Sequence, residues 1–261
     1  MLPDDLAEAL DRARGRLGPF GSHLLYFGSV GSTNDIADRL ALAGAVEGTT
    51  VLAETQTAGR GRMGRAWFSP PGAGLYVSAV FRPGAQAATP LFTLVAGVAL
   101  ADALRESTRL PVLIKWPNDL VVGRRKLGGI LAEGSARQGA LRHVIVGFGI
   151  NLRPAALPPE IADRATSVET ELGRPVDRGQ VLVAALAALA AGYDDLRASR
   201  FDAILNRWRA LAPGSVGVPV EWGEPAGVRR GTTIGVDDDG ALLVRAGDGI
   251  ERIIAGEVRW L

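Results

Sequence analysis

The spacing of apolar residues predicts mixed strands and helices up to about residue 211, followed by short strands alone. Residues 75–81 alternate between apolar side chains such as Val77 and more polar ones such as Ser78, which is typical of a strand. Thr89 and Pro90 then begin a helix, because a cap residue followed by proline is a common helix start. The pattern predicts an α+β fold with two units, a larger domain over residues 1–212 and a small β barrel over residues 213–261.

Capping and turn residues predict further elements. Ser32 is placed to cap a helix whose first turn contains Asp35. Asp177 with Gln180 resembles a capping box and predicts one helix that continues towards Trp208. The remaining elements are a helix over residues 3–17 and strands over residues 22–28, 49–54, 112–116, 119–122, 126–133 and 142–151.

Composition narrows the class of protein. The 261 residues are 47% hydrophobic and 22% charged, which fits a globular core and excludes disordered and fibrous classes. The net charge of +1, from 29 basic and 28 acidic residues, argues against a general nucleic-acid binder, so any cationic site must be local. The absence of cysteine excludes disulfides, thiolate zinc sites and a cysteine nucleophile, and two histidines disfavour a histidine metal cluster.

The sequence does not indicate a membrane-spanning segment or a secretory signal. The longest apolar stretch, residues 181–191, is shorter than the roughly 18 residues that a membrane span needs. Early acidic residues and the absence of a continuous apolar core do not fit a secretory signal. We therefore expect a soluble, cytoplasmic protein without a membrane partner.

A loop rich in glycine and arginine, residues 59–67, lies between two predicted strands. Its spacing satisfies G-x-G-x-x-G, but a dinucleotide-binding loop runs directly into a helix and has an acidic residue about 20 positions later. Neither feature is present. Arginine forks suit phosphate or carboxylate, and the glycines are typical of hinges, so we interpret the segment as an anion-binding lid. The alternative is a solvated basic loop. The residues concerned are Gly59, Arg60, Gly61, Arg62, Gly64, Arg65 and Trp67.

Two further segments have the residue types of a binding site. The first runs through Lys115-Trp116-Pro117-Asn118-Asp119 and, after a predicted hairpin turn at Gly123-Arg124, through Lys126-Leu127-Gly128-Gly129; the second is Gly147-Phe148-Gly149-Ile150-Asn151. Glycine inside a strand usually marks a bulge or a close approach by ligand or backbone. Taken singly, each has a structural explanation: Lys126 fits a solvated hairpin, Asp119 a turn, Asn151 a strand end and Trp67 a core position.

Together with Ser32-Thr33-Asn34, Gln56 and the lid, these segments resemble, in the same order, the biotin protein ligases. These enzymes adenylate biotin and transfer it to a lysine. The resemblance runs from about residue 24 to the C-terminus. It implies a mixed seven-stranded sheet with helices on one side, followed by an SH3-like barrel.

The resemblance also implies roles for particular residues. Biotin would be bound by Ser32, Thr33, Asn34, Gln56, Gly59, Arg60, Arg62, Lys126, Gly128 and Gly129. ATP and the adenylate would be bound by Arg62, Arg65, Trp67, Lys115, Asn118, Asp119, Lys126 and Asn151. Arg60, Arg62, Lys126 and Asp119 would carry the reaction. Asp119 would either hold the Mg²⁺ that accompanies ATP or accept the proton of the acceptor lysine.

The implied partners are biotin, ATP and the biotin carboxyl carrier domain of a carboxylase. Only about 31 residues precede Ser32, too few for the DNA-binding domain that some relatives have, so we expect no binding to DNA. Monomer and homodimer both stay open. Two alternative functions are a lipoate-type ligase of the same superfamily and a non-enzymatic RNA-binding protein that uses the lid and the C-terminal barrel.

Overall fold

The chain folds around two β-sheets, one of seven strands and one of five. A computed structural model describes residues 2–83, 89–137, 140–155, 157–224, 227–254 and 256–261. The helices are α1 (Asp4–Ala13), α2 (Thr33–Leu42), α3 (Thr89–Thr108), α4 (Pro159–Ala162), α5 (Val168–Leu172), α6 (Arg178–Arg197) and α7 (Phe201–Leu211). The strands are β1 (Leu24–Phe27), β2 (Thr50–Ala53), β3 (Gly74–Phe81), β4 (Leu113–Lys115), β5 (Asp119–Val122), β6 (Arg125–Arg137), β7 (Ala140–Asn151), β8 (Val216–Glu224), β9 (Gly227–Val236), β10 (Leu242–Ala246), β11 (Gly249–Ile253) and β12 (Val258–Trp260).

The larger sheet is mixed, as predicted. Its strand order is β1-β2-β3-β7-β6-β5-β4, in which β1 and β2 are parallel and the other neighbours are antiparallel. Strand β3 is buried along its whole length because both faces of the sheet are covered. Strand β6 continues beyond the predicted end at residue 133, because it pairs with β7 as far as Arg137. Glu133 consequently lies within a strand and not at its end.

Helices cover the two faces of this sheet unequally. The core on one face includes buried residues of α1, α3, α6 and α7, which agrees with the expectation of helices on one side. Helix α2 packs on the opposite face, where Ala37 and Ala41 contact Val51, Val80 and Ile145 in a separate small core. The first turn of α2 therefore lies beside a part of the sheet that no long helix covers, and this part is where the site lies.

The prediction of one long helix up to Trp208 is wrong. Helix α6 ends at Arg197, and Ser199 has a positive φ of 56°, which an α-helix cannot contain. The turn allows α7 to fold back on α3 and to bury Trp208 completely. Asp177 caps α6 as predicted, since it accepts a hydrogen bond of 3.0 Å from the Gln180 backbone.

Helix α6 is long and apolar enough to cross a membrane, by length and composition alone. Half of its apolar window is buried inside the protein. It packs against α1 and α3, and Leu182 and Leu186 are completely buried there. We therefore interpret α6 as a core helix of the protein.

The smaller sheet has the order β11-β10-β9-β8-β12, and all its neighbouring strands are antiparallel. All five strands follow the short turn Pro213–Ser215, close to the predicted boundary, which itself stays a prediction. Trp222 and Val236 belong to the same apolar core as Trp208, and the Trp116 indole donates a 2.9 Å hydrogen bond to the Gly240 carbonyl. The second sheet is therefore packed directly against the first.

Candidate active site

A cleft with a volume of about 760 Å³ lies on the α2 face of the large sheet. Its floor is formed by β6 and β7, its sides by the first turn of α2 and by residues 59–67, and its far end by the last strand, β12. The floor is open because Gly129 pairs with Gly149 in register and Gly147 pairs with Leu131, so that little side chain fills the space. The glycines of the sequence motifs thus form a cavity.

One end of the cleft is neutral and densely hydrogen-bonded. Here Gln56 Oε1 accepts hydrogen bonds from the Thr33 backbone at 2.8 Å and from the Thr33 hydroxyl at 3.1 Å. The Ser78 hydroxyl lies 2.7 Å from Thr33 Oγ1 and 2.6 Å from Asn34 Oδ1. Ser32 is buried beside them at the N-cap position of α2, although its side chain makes no capping hydrogen bond. We call Ser32, Thr33, Asn34, Gln56 and Ser78 the neutral end.

The lid, residues 59–67, is a narrow hairpin. The Trp67 backbone donates to the Gly59 carbonyl at 2.8 Å, and the Gly61 backbone donates to the Arg65 carbonyl at 2.7 Å. At its tip, Met63 has a positive φ of 57°. The hairpin places the arginine side chains and Trp67 over the cleft.

Trp67 lies directly on the glycine floor. A Cβ atom added at Gly149 would lie 2.4 Å from the Trp67 ring, so only glycine allows this contact. The Lys126 ammonium lies 5.2 Å from the centre of the Trp67 ring. The indole N–H is buried and has no hydrogen-bond partner among the residues that the structure describes. The Trp67 ring is therefore held by packing and by the cation-π contact, while hydrogen bonds hold only its backbone.

The other end of the cleft is cationic. Lys126 Nζ lies 2.7 Å from Asp119 Oδ1, and Arg65 forms an ion pair with Glu257 of the segment before β12. The Lys115 ammonium lies 5.3 Å from the centre of the Trp260 ring. We call Arg62, Arg65, Lys115 and Lys126 the cationic end, with Asp119 and Glu257 as its carboxylates.

Burial and pairing shift the pKa values of this group in different directions. Burial lowers the pKa of Lys115, although Asp119 and Glu257 oppose the shift, and burial also lowers the pKa of Arg62. The ion pair with Arg65 lowers the pKa of Glu257, and the same contact raises the pKa of Arg65. A group whose charge is disfavoured by burial gains most from an anionic ligand, so Lys115 and Arg62 are suited to bind one.

The charge of the cleft differs from that of the whole chain. Nine basic and three acidic side chains line it, whereas the net charge of the protein is only +1. The local excess of positive charge matches a ligand with several negative charges, such as a nucleoside triphosphate. The basic side chains are Arg60, Arg62, Arg65, Lys115, Arg124, Arg125, Lys126, Arg164 and Arg259.

The structure brings nearly all predicted site residues to this one cleft. Asn118 and Asn151 also line it, and their side-chain amides donate to the carbonyls of Ile130 and Thr166. The exceptions are two glycines. Gly59 makes room for the carbonyl of Trp67, and Gly128 faces the Gly149 backbone and Leu120. Both glycines are closely packed within the protein, and their contacts with ligand stay predictions.

Several cleft residues were not predicted from the sequence. Arg259 and Trp260 come from β12 and Glu257 from the segment before it, and Arg124 donates to the carbonyl of Trp260 at 3.4 Å. Arg164 lies in a loop that pairs with the start of β6, because its carbonyl accepts the backbone N–H of Lys126 at 2.7 Å. Their scattered positions offer no local pattern that would have revealed them.

Comparison with known proteins agrees with the resemblance to the biotin protein ligases. Residues 26–151 match the biotin/lipoate A/B protein ligase family, and residues 217–259 match the biotin protein ligase C-terminal domain. A biotin–[acetyl-CoA-carboxylase] ligase of Paracoccus denitrificans is 39% identical over 249 residues, which cover 87% of this chain and 96% of the relative. The bifunctional ligase/repressor BirA of Bacillus subtilis is 36% identical over 259 residues, covering 98% of this chain and 79% of the relative.

Solved structures agree with the sequence relatives. The biotin protein ligase from Aquifex aeolicus in complex with biotin and ATP superposes with a TM-score of 0.79 at 31% identity, covering 92% of this chain and 99% of that one. The fold and the divided cleft define a ligase that activates a carboxylate. The chain belongs to the biotin protein ligase family, which confirms the resemblance seen in the sequence.

Proposed function

We propose that this protein joins biotin to ATP, forming biotinyl-5'-AMP, and then transfers biotin to a lysine of a biotin carboxyl carrier domain. The observation that carries the proposal is the division of one cleft into a neutral end and a cationic end. Biotin is itself divided in this way, with a neutral ureido ring at one end and a carboxylate at the other. The names of the relatives favour biotin over lipoate as the acid.

The neutral end supports recognition of the ureido ring. Buried hydroxyl and amide groups discriminate well against ligands that leave them unpaired. Thr33, Ser78 and Gln56 already hold one another in place, so binding needs little further ordering. We assign Ser32, Thr33, Asn34 and Gln56 to this role.

In the first step, a carboxylate oxygen of biotin attacks the α-phosphorus of ATP. The new C–O–P bond forms, the bond to pyrophosphate breaks, and pyrophosphate leaves. A carboxylic acid of this type is already ionised at neutral pH, so no base is needed. The protein must instead bring two anions together and stabilise the charge that develops on the phosphate, which is the role we assign to Lys126 and Arg62.

In the second step, the acceptor lysine attacks the carbonyl of the adenylate. The C–N bond forms, the bond to AMP breaks, and the amine loses a proton. Asp119 Oδ1 lies 2.7 Å from Lys126 Nζ, so a proton acceptor there would lie beside the ammonium that we assign to the phosphate. The same position suits a metal ligand.

Magnesium would need ligands from the nucleotide. Among the residues that the structure describes, no three histidine or acidic side chains cluster closely enough to hold a metal ion. Mg²⁺ is usually bound by one or two carboxylates together with substrate phosphates, and Asp119 fits this requirement as a single carboxylate. The ion would supply charge neutralisation on the phosphates.

The acceptor, the cytoplasmic location, the expected absence of DNA binding and the choice between monomer and homodimer stay predictions. The match to biotin ligase structures bears on the fold and activity and not on these four predictions.

The lid supports a conformational step, because its arginines lie over the cleft and must let ATP enter.

Pyrophosphate release tests the proposal directly. The purified protein would be incubated with ATP alone, with ATP and biotin, and with ATP and lipoate. We expect release only with biotin, followed by a streptavidin signal on a carrier domain that has its acceptor lysine and none on the same domain with that lysine replaced by arginine. Release with lipoate but not biotin would transfer the assignment to the lipoate ligases, and no release with either acid would reject it.

A further inference from the structure

Arg60 is held by two carboxylates of the protein itself. Its Nη1 lies 2.6 Å from Asp35 Oδ1 in the first turn of α2, and its Nη2 lies 3.5 Å from Glu133 Oε2 in β6. The hydrogen bond with Asp35 is the main reason that its pKa is raised. The guanidinium is thus already occupied on two sides.

The contacts of Arg60 continue into the neutral end. Glu133 Oε2 also accepts a hydrogen bond of 2.6 Å from the Asn34 amide. Asn34 fits closely against the sheet, since a Cβ atom at Gly147 would lie 2.0 Å from its Oδ1. Asn34 contacts Ser78, and Ser78 contacts Thr33, so an unbroken chain of polar contacts joins Arg60 to the neutral end.

The chain just after the lid is also hydrogen-bonded to the neutral end, through Gln56. Gln56 Nε2 donates a 2.9 Å hydrogen bond to the hydroxyl of Ser69, two residues beyond the lid. Both ends of the lid therefore depend on the arrangement of the neutral end. A ligand bound there would stabilise the closed lid from both sides.

Arg62 contrasts with Arg60. Within the described part of the chain, Arg62 makes no ion pair, and its side chain is partly buried. Asp119 provides the only charge that offsets its burial. Arg62 is therefore available to an incoming anion, whereas Arg60 is not.

We propose that Arg60 is a positioning residue that couples closure of the lid to occupation of the neutral end, and that it does not bind phosphate. This inference rests on the proposed function, and it replaces the catalytic role that the resemblance implies for Arg60. Arg62 and Lys126 remain the anion-binding groups.

Two variants test the coupling. Arg60→Ala removes the ion pairs with Asp35 and Glu133. Glu133→Gln removes only the negative charge of Glu133, because a glutamine can still accept a hydrogen bond from Asn34. We expect each to raise the KM for biotin about twofold to fivefold, because a partly exposed ion pair contributes up to about 1 kcal/mol. The KM for ATP and kcat should change by less than about twofold, and the double variant should resemble either single one.

Tryptic cleavage of the lid provides a second readout. Biotin should protect the wild-type lid, and Glu133→Gln, which retains every lid arginine, should need more biotin for the same protection. Arg207→Ala is the matched control, since it breaks a similarly exposed pair with Asp102 on α3, away from the cleft. It should alter neither readout.

Other outcomes separate the explanations. A loss of about 10²-fold in kcat for Arg60→Ala, with Glu133→Gln unchanged, would make Arg60 a phosphate ligand. Normal kinetics for both variants would leave it a solvated arginine. In either case the coupling would be rejected. Failure of the proposed function is distinct, because the wild-type protein would then release no pyrophosphate with biotin.

A separate observation concerns lysine. Of the 29 basic residues only two are lysines, Lys115 and Lys126, and both line the cleft. Around the entrance all basic side chains are arginines, including the exposed Arg124. A guanidinium stays protonated and does not attack an acyl-adenylate, whereas an exposed lysine does.

We infer that the absence of surface lysines protects the enzyme from its own adenylate, which again rests on the proposed function. In an acylation, the lysine amine would form a C–N bond to biotin, AMP would leave, and the proton would pass to water. Outside the cleft, the sequence contains no lysine for this reaction.

Mass spectrometry after incubation with biotin and ATP, without a carrier domain, tests this inference. Arg124→Lys should become biotinylated at position 124, while Arg207→Lys, equally new but distant from the entrance, should be labelled about tenfold less, since proximity raises the effective concentration. Equal labelling at both positions, or none at position 124 while pyrophosphate is released, would overturn it.

Discussion

The two ends of the cleft are built in opposite ways. At the neutral end, Thr33 is hydrogen-bonded to both Ser78 and Gln56, and Thr33 and Ser78 are buried. This arrangement therefore exists before any ligand arrives. At the cationic end, Lys126 and Arg65 are paired with Asp119 and Glu257, which a nucleotide must replace or rearrange. The first construction favours selectivity, and the second favours exchange of charge during a reaction.

The difference follows from the physical chemistry of the two ligand parts. An uncharged ring gains little from a strong field and much from matched donors and acceptors. Phosphates gain from charge, and internal carboxylates keep several cations close together when the phosphates are absent. Variants at the two ends should therefore affect different kinetic constants.

The largest expected effect is at the cationic end. Lys126→Ala should lower kcat for pyrophosphate release by about 10²- to 10³-fold, because one charged donor to the developing phosphate charge is lost. The KM for biotin should change much less. Stopped or continuous pyrophosphate assays at saturating substrates would measure this, with Lys126→Arg as the variant that keeps the charge. A change confined to the KM for biotin would contradict the division of the cleft.

A smaller effect is expected at the neutral end. Thr33→Val keeps the shape but leaves Gln56 and Ser78 without the hydroxyl, so the KM for biotin should rise by about tenfold to a hundredfold. The kcat at saturating biotin should stay near the wild-type value. Thr57→Val is the control, because Thr57 is exposed and does not line the cleft. An equal fall in kcat would place Thr33 in the chemical step.

The glycine floor links the two ends. In Gly149→Ala, the new methyl group would lie 2.4 Å from the Trp67 ring, so the tryptophan must move away from Lys126. Overpacking of this kind typically costs about 1–3 kcal/mol, which here should appear as weaker closure of the lid and a KM raised for both substrates. Tryptophan fluorescence would report the displacement. An unchanged spectrum with normal kinetics would show that Trp67 does not rest on this floor.

The smallest expected effect is a pH dependence. Since burial lowers the pKa of Lys115, its positive charge is lost at a lower pH than that of an ordinary lysine. The KM for ATP should therefore rise on the alkaline side, and Lys115→Arg should shift this rise to higher pH because guanidinium stays protonated. Superimposable KM profiles for wild type and variant would exclude Lys115 from phosphate binding.

Local sequence patterns were sufficient for most of the fold. Caps, turns and alternation predicted the strands of the larger sheet and its longer helices, including the turn at Gly123-Arg124 and the cap at Asp177, but not the short helices α4 and α5. They failed at the end of α6, where a polar turn around Ser199 interrupts an otherwise helical sequence. They also missed that β6 runs on to Arg137, because strand length depends on the partner β7.

For the site, the sequence by itself determined which side chains are available: the lid arginines, two lysines, the Ser32-Thr33-Asn34 turn and the glycines of β6 and β7. Only the tertiary structure decided how they are paired. Arg65 and Glu257 are 192 positions apart, and Arg60 and Glu133 are 73 apart. Such partners share no local periodicity, because they meet only after the two sheets pack and the lid folds over α2. The charges were visible in the sequence, and their division into positioning and ligand-binding groups was not.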